Sequence, residues 1–215
     1  MNNLEELINY NFQNKELLIT ALTHSSYANE HNVENYERLE FLGDAVIELV
    51  VSSYIFSFKE LDSGVLSKLR AGLVSTEYLS KISEDLQLVN LVRKSKSLLN
   101  LSKKNTADLF ESMIGAVYLD GGIEKTKEII GRFIIKSEEN IQNILRSCID
   151  YKTRFQEEMQ KLGKVFEYKQ LNSYGLDHDK TFEYGLFIEN ELVAKGKGKS
   201  IHLAQEECAE QYYNK

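Results

Sequence analysis

Apolar residues in the first two thirds of the chain recur at three- and four-residue spacing, a pattern typical of amphipathic helices. The alternation expected of strands is scarce in this part of the sequence. The spacing predicts helices over residues 35–58, 66–86, 106–118 and 124–144. Residues 1–147 are therefore predicted to form an all-α domain.

Polar and small residues indicate where these helices begin and break. Asp62 and Ser63 stand where an N-cap would open the second helix, and Asn105 or Thr106 would cap the third. The two glycines at 121–122 predict an interruption before the fourth helix begins.

The pattern changes after about residue 147. A helical segment at 151–162 precedes three alternating segments that are rich in aromatic and β-branched residues, and a last helix is expected over 200–213. The strands are predicted at 165–171, 180–188 and 191–195, with Asn190 at the tip of a hairpin turn. Residues 150–215 are therefore predicted to form a separate, small α+β domain with the order αβββα.

The composition limits the class of protein. With 42% hydrophobic and 27% charged residues among 215, the chain is expected to fold around a core and not to be disordered. The net charge of −7 disfavours nucleic-acid binding over the whole surface, so contact with a polyanion must be local. No apolar run approaches the roughly 20 residues of a membrane helix, and the first residues lack a basic n-region. Together with only two cysteines, these features predict a cytoplasmic protein without a membrane span.

One strongly apolar helix carries acidic residues in its interior. Glu37, Glu40 and Asp44 are at positions i, i+3 and i+7, so they project from one face, and Glu48 continues the stripe one turn later. Gly43 lies among them and costs about 1 kcal/mol of helix stability relative to alanine. A glycine at that cost is tolerated either because another group must approach the backbone closely or because nothing selects against it.

A second apolar helix repeats the arrangement. Asp108 and Glu111 are one turn apart, and the small residues Gly115 and Ala116 follow them. Small residues suit close packing against another helix, and if the two acidic helices pack together, four carboxylates meet in or near the core. Isolated buried carboxylates cost many kcal/mol, a cost that ion pairing or a bound metal removes.

Two interpretations of the acids follow from the residues alone. They are either solvated faces of amphipathic helices, with Arg38 and nearby lysines as partners, or a metal site. The donor set is all oxygen, which suits a hard cation such as Mg²⁺ or Mn²⁺. A di-iron carboxylate bundle is disfavoured because neither Glu37 nor Glu111 is followed by a histidine three residues later.

The small domain contains three features that suit a polyanion. Lys195, Lys197 and Lys199 alternate with glycines just before a helix, where glycine allows close approach to phosphate and the helix terminus supplies amide donors. His178 lies in a polar loop between the first two strands, and Gln156 lies on the exposed side of the first helix. Each feature alone is more often a surface turn or a surface side chain, but all three occur in one αβββα unit.

These motifs resemble those of the ribonuclease III family. Residues 37–45 (ERLEFLGDA) are similar to the signature of the family, residues 22–28 to its upstream Leu-Thr-His segment, and residues 108–122 to its second acidic motif. Residues 150–209 resemble the double-stranded-RNA-binding domain of the bacterial members. The resemblance thus covers nearly the whole chain.

The resemblance implies a role for each matching residue. It implies a Mg²⁺-dependent endoribonuclease, for which Mn²⁺ can substitute, with no organic cofactor. The metal ligands would be Glu40, Asp108 and Glu111, and Asp44 would act in catalysis together with Glu111. The resemblance also implies RNA contacts for Glu37, Gln156 and His178. With Lys195, Lys197 and Lys199, which the residue pattern itself singles out, they are the residues expected to contact RNA. Members of the family are homodimers that cut both strands of double-stranded RNA to 5′-phosphate and 3′-hydroxyl ends, and the bacterial members process ribosomal-RNA precursors and structured messenger RNA.

The chain departs from the family pattern at a few positions. Ser63 stands where many relatives have a glutamate, and Ile201 and His202 stand where relatives usually have two lysines that grip phosphates across the major groove. Leu176 replaces the proline usual in the loop. Ser63, Ile201 and His202 give some support to an alternative, a double-stranded-RNA-binding protein that has lost catalysis, but a decayed enzyme seldom keeps every ligand, and all four central carboxylates are present. Deleting residues 150–215 is expected to cost less activity here than in a relative with both lysines.

Overall fold

The computed structural model describes residues 2–136, 138–176 and 179–214. The chain divides into two compact units, residues 1–148 and residues 149–215. The first unit is helical, and the second combines two helices with an antiparallel sheet, which confirms the predicted fold class. None of the helices described is both long and apolar enough to cross a membrane.

Among the residues of the first unit that the structure describes, the regular structure is helical, apart from an isolated bridge between Thr23 and Arg93. The α-helices are α1 (Asn2–Ile8), α2 (Lys15–Ala21), α3 (Ser25–His31), α4 (Glu37–Ile55), α5 (Ser63–Leu73), α6 (Thr76–Asp85), α7 (Leu88–Leu91), α8 (Lys103–Ile130) and α9 (Glu138–Cys148), with a π-helical turn at Gly131–Ile135.

Two glycines bring α4 and α8 into backbone contact. A Cβ on Gly43 would lie 1.8 Å from the carbonyl oxygen of Glu111, and a Cβ on Gly115 would lie 2.2 Å from the carbonyl oxygen of Leu39. No larger residue fits at either position unless the helices separate. The close packing expected from the small residues is therefore confirmed, and it fixes the distance between the two acidic helices.

Several helix boundaries differ from those predicted. Residues 66–86 form two helices, because the hydroxyl of Ser75 accepts a hydrogen bond from the amide of Tyr78 and starts α6. Asp62 caps α5 as predicted, accepting hydrogen bonds from two amides of its first turn. The prediction that Asn105 or Thr106 caps α8 is wrong, because Ser102 does so one turn earlier.

The predicted interruption at the paired glycines is a kink within α8. Gly122 has φ 75° and ψ −178°, a backbone conformation that only glycine adopts readily. The single helix predicted over 124–144 is wrong: α8 ends at Ile130, the π-helical turn follows, and Lys136 has a positive φ of 57°. A residue in that conformation ends a helix, so α9 begins as a separate helix.

The second unit has the αβββα order predicted. It consists of α10 (Tyr151–Leu162), β1 (Phe166–Tyr174), β2 (Thr181–Ile188), β3 (Glu191–Gly198) and α11 (Ile201–Tyr213), with strand order β1-β2-β3. Glu189 and Asn190 both have positive φ in the two-residue loop between β2 and β3, as a type I′ hairpin turn requires. The two helices and one face of the sheet bury a core that includes Phe155, Leu186 and Ala204.

Candidate active site

Carboxylates from α4 and α8 converge in the first unit. Glu40, Asp108 and Glu111 each offer an oxygen atom that lies within 4.8 Å of those of the other two. Asp108 is only 4% exposed, whereas Glu40 and Glu111 are partly buried. The backbone contact of Gly43 with Glu111 places the helices close enough for this convergence. These three residues are buried or partly buried, so they do not form a solvated acidic helix face.

The other acids of α4 lie outside this cluster. Glu37, Asp44 and Glu48 are exposed to solvent. Asp44 nevertheless acts on the cluster, because its negative charge contributes to the raised pKa of Glu111. Three of the four carboxylates expected to meet therefore form one cluster. The fourth, Asp44, faces solvent but is close enough for its charge to affect Glu111.

Burial and mutual repulsion disfavour the charged forms of the cluster. Burial is the largest cause that raises the pKa of Glu111, followed by the charges of Asp44, Asp108 and Glu40, and the result is a pKa of about 7. Burial also raises the pKa values of Glu40 and Asp108 above their usual range. A cluster of partly desolvated acids is stabilised by a cation, so its electrostatics favour metal binding.

Lys104 supplies positive charge at the edge of the cluster. Its Nζ atom lies 3.3 Å from Oδ2 of Asp108 and 3.5 Å from Oε1 of Glu40. The lysine side chain is 72% exposed, whereas that of Asp108 is 6% exposed. Sequence reasoning missed this residue, although a lysine four positions before an acid on a helix is a recognisable pairing signal.

Polar and aromatic side chains line the same region. The amide of Asn105 donates a hydrogen bond to the hydroxyl of Tyr36 at 3.3 Å, and the Tyr36 ring meets the ring of His24 edge to face. Nδ1 of His24 accepts a hydrogen bond from the amide of Ser26 and so caps α3. His24 belongs to the upstream motif of residues 22–28, and its contacts indicate a structural role next to the acids.

The donor set fits a hard divalent cation. Carboxylate oxygens are the ligands that Mg²⁺ prefers, and oxygens that bind one Mg²⁺ at about 2.1 Å lie roughly 3–4 Å apart. The observed spacing, within 4.8 Å, needs only small side-chain rotations to reach that geometry. Glu40, Asp108 and Glu111 are thus suited to hold Mg²⁺ or Mn²⁺ together with water.

The raised pKa of Glu111 predicts a pH-dependent stability of the metal-free protein. The ordinary pKa of the side chain is 4.5 and the folded-state pKa is about 7, so between these pH values the folded protein binds more protons than the unfolded chain. The contribution of Glu111 to stability is therefore present below about pH 4.5 and is lost as the pH rises through 7.

We expect the free energy of unfolding in EDTA to fall more steeply between pH 5 and pH 7.5 in the wild type than in Glu111→Gln. Urea denaturation at both pH values measures the difference. Parallel pH profiles for the two proteins would contradict a raised pKa at this position.

The predicted RNA-contacting residues of the second unit are exposed where the structure describes them. Gln156 is exposed on α10, and Lys195, Lys197 and Lys199 are exposed at the end of the sheet. Nζ of Lys199 lies 2.6 Å from a carboxylate oxygen of Asp179, and Nζ of Lys197 lies 3.9 Å from one of Glu183. His178 falls outside the described residues.

The glycines between these lysines have a different role from the one expected. A Cβ on Gly196 would lie 2.5 Å from the carbonyl oxygen of Ala204, and a Cβ on Gly198 would lie 2.5 Å from its amide nitrogen. The two glycines thus allow the backbone of α11 to pack against β3. They were expected instead to allow a phosphate group to come close. Because side chains alternate along a strand, Lys195 and Lys197 face the opposite side of β3.

The first turn of α11 exposes apolar side chains. Ser200 caps the helix by accepting a hydrogen bond from the amide of Leu203. Ile201 is 47% exposed and Leu203 is 55% exposed. The positions where relatives carry lysines are thus solvent-facing, and in this chain Ile201 and His202 leave them without a fixed positive charge.

Comparisons with known proteins match both units. A family profile described as Ribonuclease-III-like matches residues 14–138, and a profile for the double-stranded RNA binding motif matches residues 151–215. Ribonuclease 3 of Listeria innocua is 38% identical over 96% of this chain and 93% of its own. Ribonuclease 3 of Sulfurovum sp. is 39% identical with the same coverage of both chains.

A solved structure of the nuclease domain of ribonuclease III from Campylobacter jejuni is 41% identical, has a TM-score of 0.59, and covers 64% of this chain and 97% of its own. Its description concerns flexibility in a region involved in dimer formation of that protein. A family profile that spans more than half of the chain, together with relatives similar over nearly its whole length, identifies the chain as a member of the ribonuclease III family of endonucleases, with a double-stranded-RNA-binding domain after the nuclease domain.

Proposed function

We propose that this chain hydrolyses phosphodiester bonds of double-stranded RNA with Mg²⁺ held by Glu40, Asp108 and Glu111. The observation that carries the proposal is the convergence of these carboxylates from two helices within 4.8 Å. The RNA-binding motif matched by the second unit supports double-stranded RNA as the substrate class. The proposed products are 5′-phosphate and 3′-hydroxyl ends, as in the family the chain belongs to.

The proposed mechanism uses the acids according to their burial. Mg²⁺, when bound, supplies a more acidic water ligand and offsets the charge that develops on the leaving oxygen. Asp108 is held rigidly by its burial, and Glu40 and Glu111 complete the set of ligands from opposite helices. Asp44 is exposed, and its charge contributes to the raised pKa of Glu111, so it is proposed to accept a proton or to orient water at the edge of the site. Glu37, exposed one turn before Glu40, is proposed to contact RNA or the dimer partner.

We propose that two copies associate through the nuclease unit. Phe41 on α4 is 80% exposed, and Val33 and Leu119 are each about half exposed along the same groove. Large apolar side chains in such positions gain free energy when a partner covers them. A homodimer with one site in each subunit would cut both strands. Analytical ultracentrifugation of Phe41→Asp beside the wild type tests the pairing.

The second unit is proposed to grip the RNA through Gln156, His178, Lys195, Lys197 and Lys199. Ribosomal-RNA precursors and structured messenger RNA are the proposed natural substrates. Cys148 and Cys208 are both buried and neither forms a disulfide, which fits the proposed cytoplasmic location.

Incubation of the purified chain with an RNA duplex of several helical turns tests the function. We expect Mg²⁺-dependent cleavage, no cleavage in EDTA, and product ends that a 5′-phosphate-dependent exonuclease accepts. The DNA duplex of the same sequence is the matched control and should stay intact. Uncut RNA over a broad range of Mg²⁺ and salt would leave the alternative, an RNA-binding protein without catalysis.

Restoring lysines at the start of α11 should strengthen RNA binding. We expect Ile201→Lys/His202→Lys to bind a duplex more tightly and to steepen the slope of log K against log salt by roughly 0.7–0.9 for each additional phosphate that a lysine neutralises. Filter binding in Ca²⁺ or EDTA at several salt concentrations measures the slope. Ile201→Gln/His202→Gln is the neutral control, and equal slopes for the two double variants would show that these positions do not reach phosphate.

A further inference from the structure

Lys104 is bound to the acids that are proposed to hold the metal. Its ammonium group lies 3.3 Å from Asp108 and 3.5 Å from Glu40, so it bridges the two helices that form the cluster. One oxygen atom of each carboxylate interacts with this ammonium group. A divalent ion that uses the same oxygens must therefore share them with Lys104 or displace it.

The position of Lys104 is unfavourable for the helix itself. It is the second residue of α8, after the N-cap Ser102, and a cation near a helix N-terminus is opposed by the helix dipole. Lysine placed four residues before its acidic partner is also the weaker order for a helical ion pair. The stability of α8 therefore does not explain why a lysine stands at position 104. The favourable interaction of its charge with Asp108 and Glu40 does explain it.

Exposure makes the pair exchangeable. The side chain of Lys104 is 72% exposed, so the ammonium group is readily rehydrated when it leaves the carboxylates, and a metal ion bound there would replace its charge. The carboxylates are more buried and cannot leave in the same way. In the metal-free protein, the charge of Lys104 also opposes the rise in the pKa values of all three acids.

We propose that Lys104 is a built-in counter-cation that competes with Mg²⁺ for Glu40 and Asp108 and thereby sets the Mg²⁺ concentration at which the site fills. This inference depends on the proposed metal site. It assigns to Lys104 two effects of opposite sign: the lysine stabilises the metal-free protein, and it weakens metal binding.

Neutral variants of Lys104 separate these two effects. For Lys104→Met, we expect metal to bind about tenfold more tightly at low ionic strength, because a unit charge next to a divalent ion in a water-like dielectric repels it by about that factor. The melting temperature in EDTA should fall by a few degrees, because the acids lose their counter-cation. Electron paramagnetic resonance of free Mn²⁺, with Mg²⁺ as competitor, measures binding without any RNA or cleavage.

Matched variants isolate the charge. Lys103→Met removes the neighbouring lysine, which pairs with Glu77, and should leave Mn²⁺ affinity within about twofold. Lys104→Arg keeps the charge and should resemble the wild type, and Lys104→Gln is a second neutral change. The gain in affinity should shrink when KCl is raised to about 0.5 M, because salt screens exposed charges.

The results distinguish a failure of the role proposed for Lys104 from a failure of the proposed metal site. If Lys104→Met binds Mn²⁺ no more tightly than the wild type, or if Lys103→Met gains as much, the role of Lys104 is overturned while the metal site stands. If the wild type binds no Mn²⁺, or if Asp108→Asn binds it equally well, the proposed metal site fails and the role of Lys104 fails with it.

Discussion

Glu111→Gln should abolish cleavage of an RNA duplex while leaving duplex binding close to that of the wild type. Glutamine keeps the shape of the side chain but removes the charge that completes the cluster with Glu40 and Asp108. Loss of one ligand charge displaces or removes the metal on which the proposed chemistry depends, so a loss of about a thousandfold or more in cleavage rate is expected. Single-turnover cleavage and filter binding on the same preparation measure the two properties.

Glu48→Gln is the matched control for this experiment. Glu48 is exposed on α4 and lies outside the cluster, so the substitution should change the cleavage rate by no more than about twofold. A Glu111→Gln protein that cuts within about tenfold of the wild type would contradict the assignment of Glu111 as a ligand. In EDTA at pH 8, the same variant should unfold at a higher temperature than the wild type, because it lacks one repelling charge.

Gly43→Ala should damage stability and metal binding together. The added Cβ would lie 1.8 Å from the carbonyl oxygen of Glu111, far inside van der Waals contact, so α4 and α8 must move apart. Overpacking of this kind costs about 3 kcal/mol, which in a chain of this size lowers the melting temperature by roughly 10 °C. Because the two helices carry the proposed ligands, Mn²⁺ affinity should also fall.

Gly131→Ala is the control for that change. Nothing lies within 4 Å of a Cβ placed on Gly131, and its helical backbone conformation (φ −56°, ψ −44°) suits alanine. Its melting temperature should stay equal to or slightly above that of the wild type. If Gly43→Ala melts within about 2 °C of the wild type, the backbone contact is looser than described and the helices adapt to it.

Much of this arrangement could be predicted from the sequence, because the informative residues violate local preference. Acids inside an apolar helix and a glycine at Gly43 are each costly, and their cost indicates metal and close packing respectively. The short turn at Asn190 and the capping by Asp62 follow from local hydrogen-bonding chemistry. These features depend on residues that are only a few positions apart, so they can be recognised in a single sequence.

What the sequence did not reveal depends on contacts between distant segments. The end of α8 and the π-helical turn at Gly131–Ile135 have no local breaker as strong as Gly122, so one continuous helix was expected there. Gly196 and Gly198 were assigned to phosphate because their packing against α11 becomes visible only in three dimensions. The i,i+4 spacing of Lys104 and Asp108 is visible in the sequence, but the second partner, Glu40 on α4, comes beside Lys104 only when the two helices pack.

Glycine and lysine alternate on β3, so one side of the strand packs against α11 and the other side presents charge to solvent. The side bearing Gly196 and Gly198 is committed to α11, so its residues tolerate almost no change. The side bearing Lys195 and Lys197 contributes little to that packing, so its charge can vary without loss of the domain. If Lys195 and Lys197 make the RNA contacts proposed for them, natural variation or engineering can adjust the affinity for RNA at these outward positions and leave the scaffold intact.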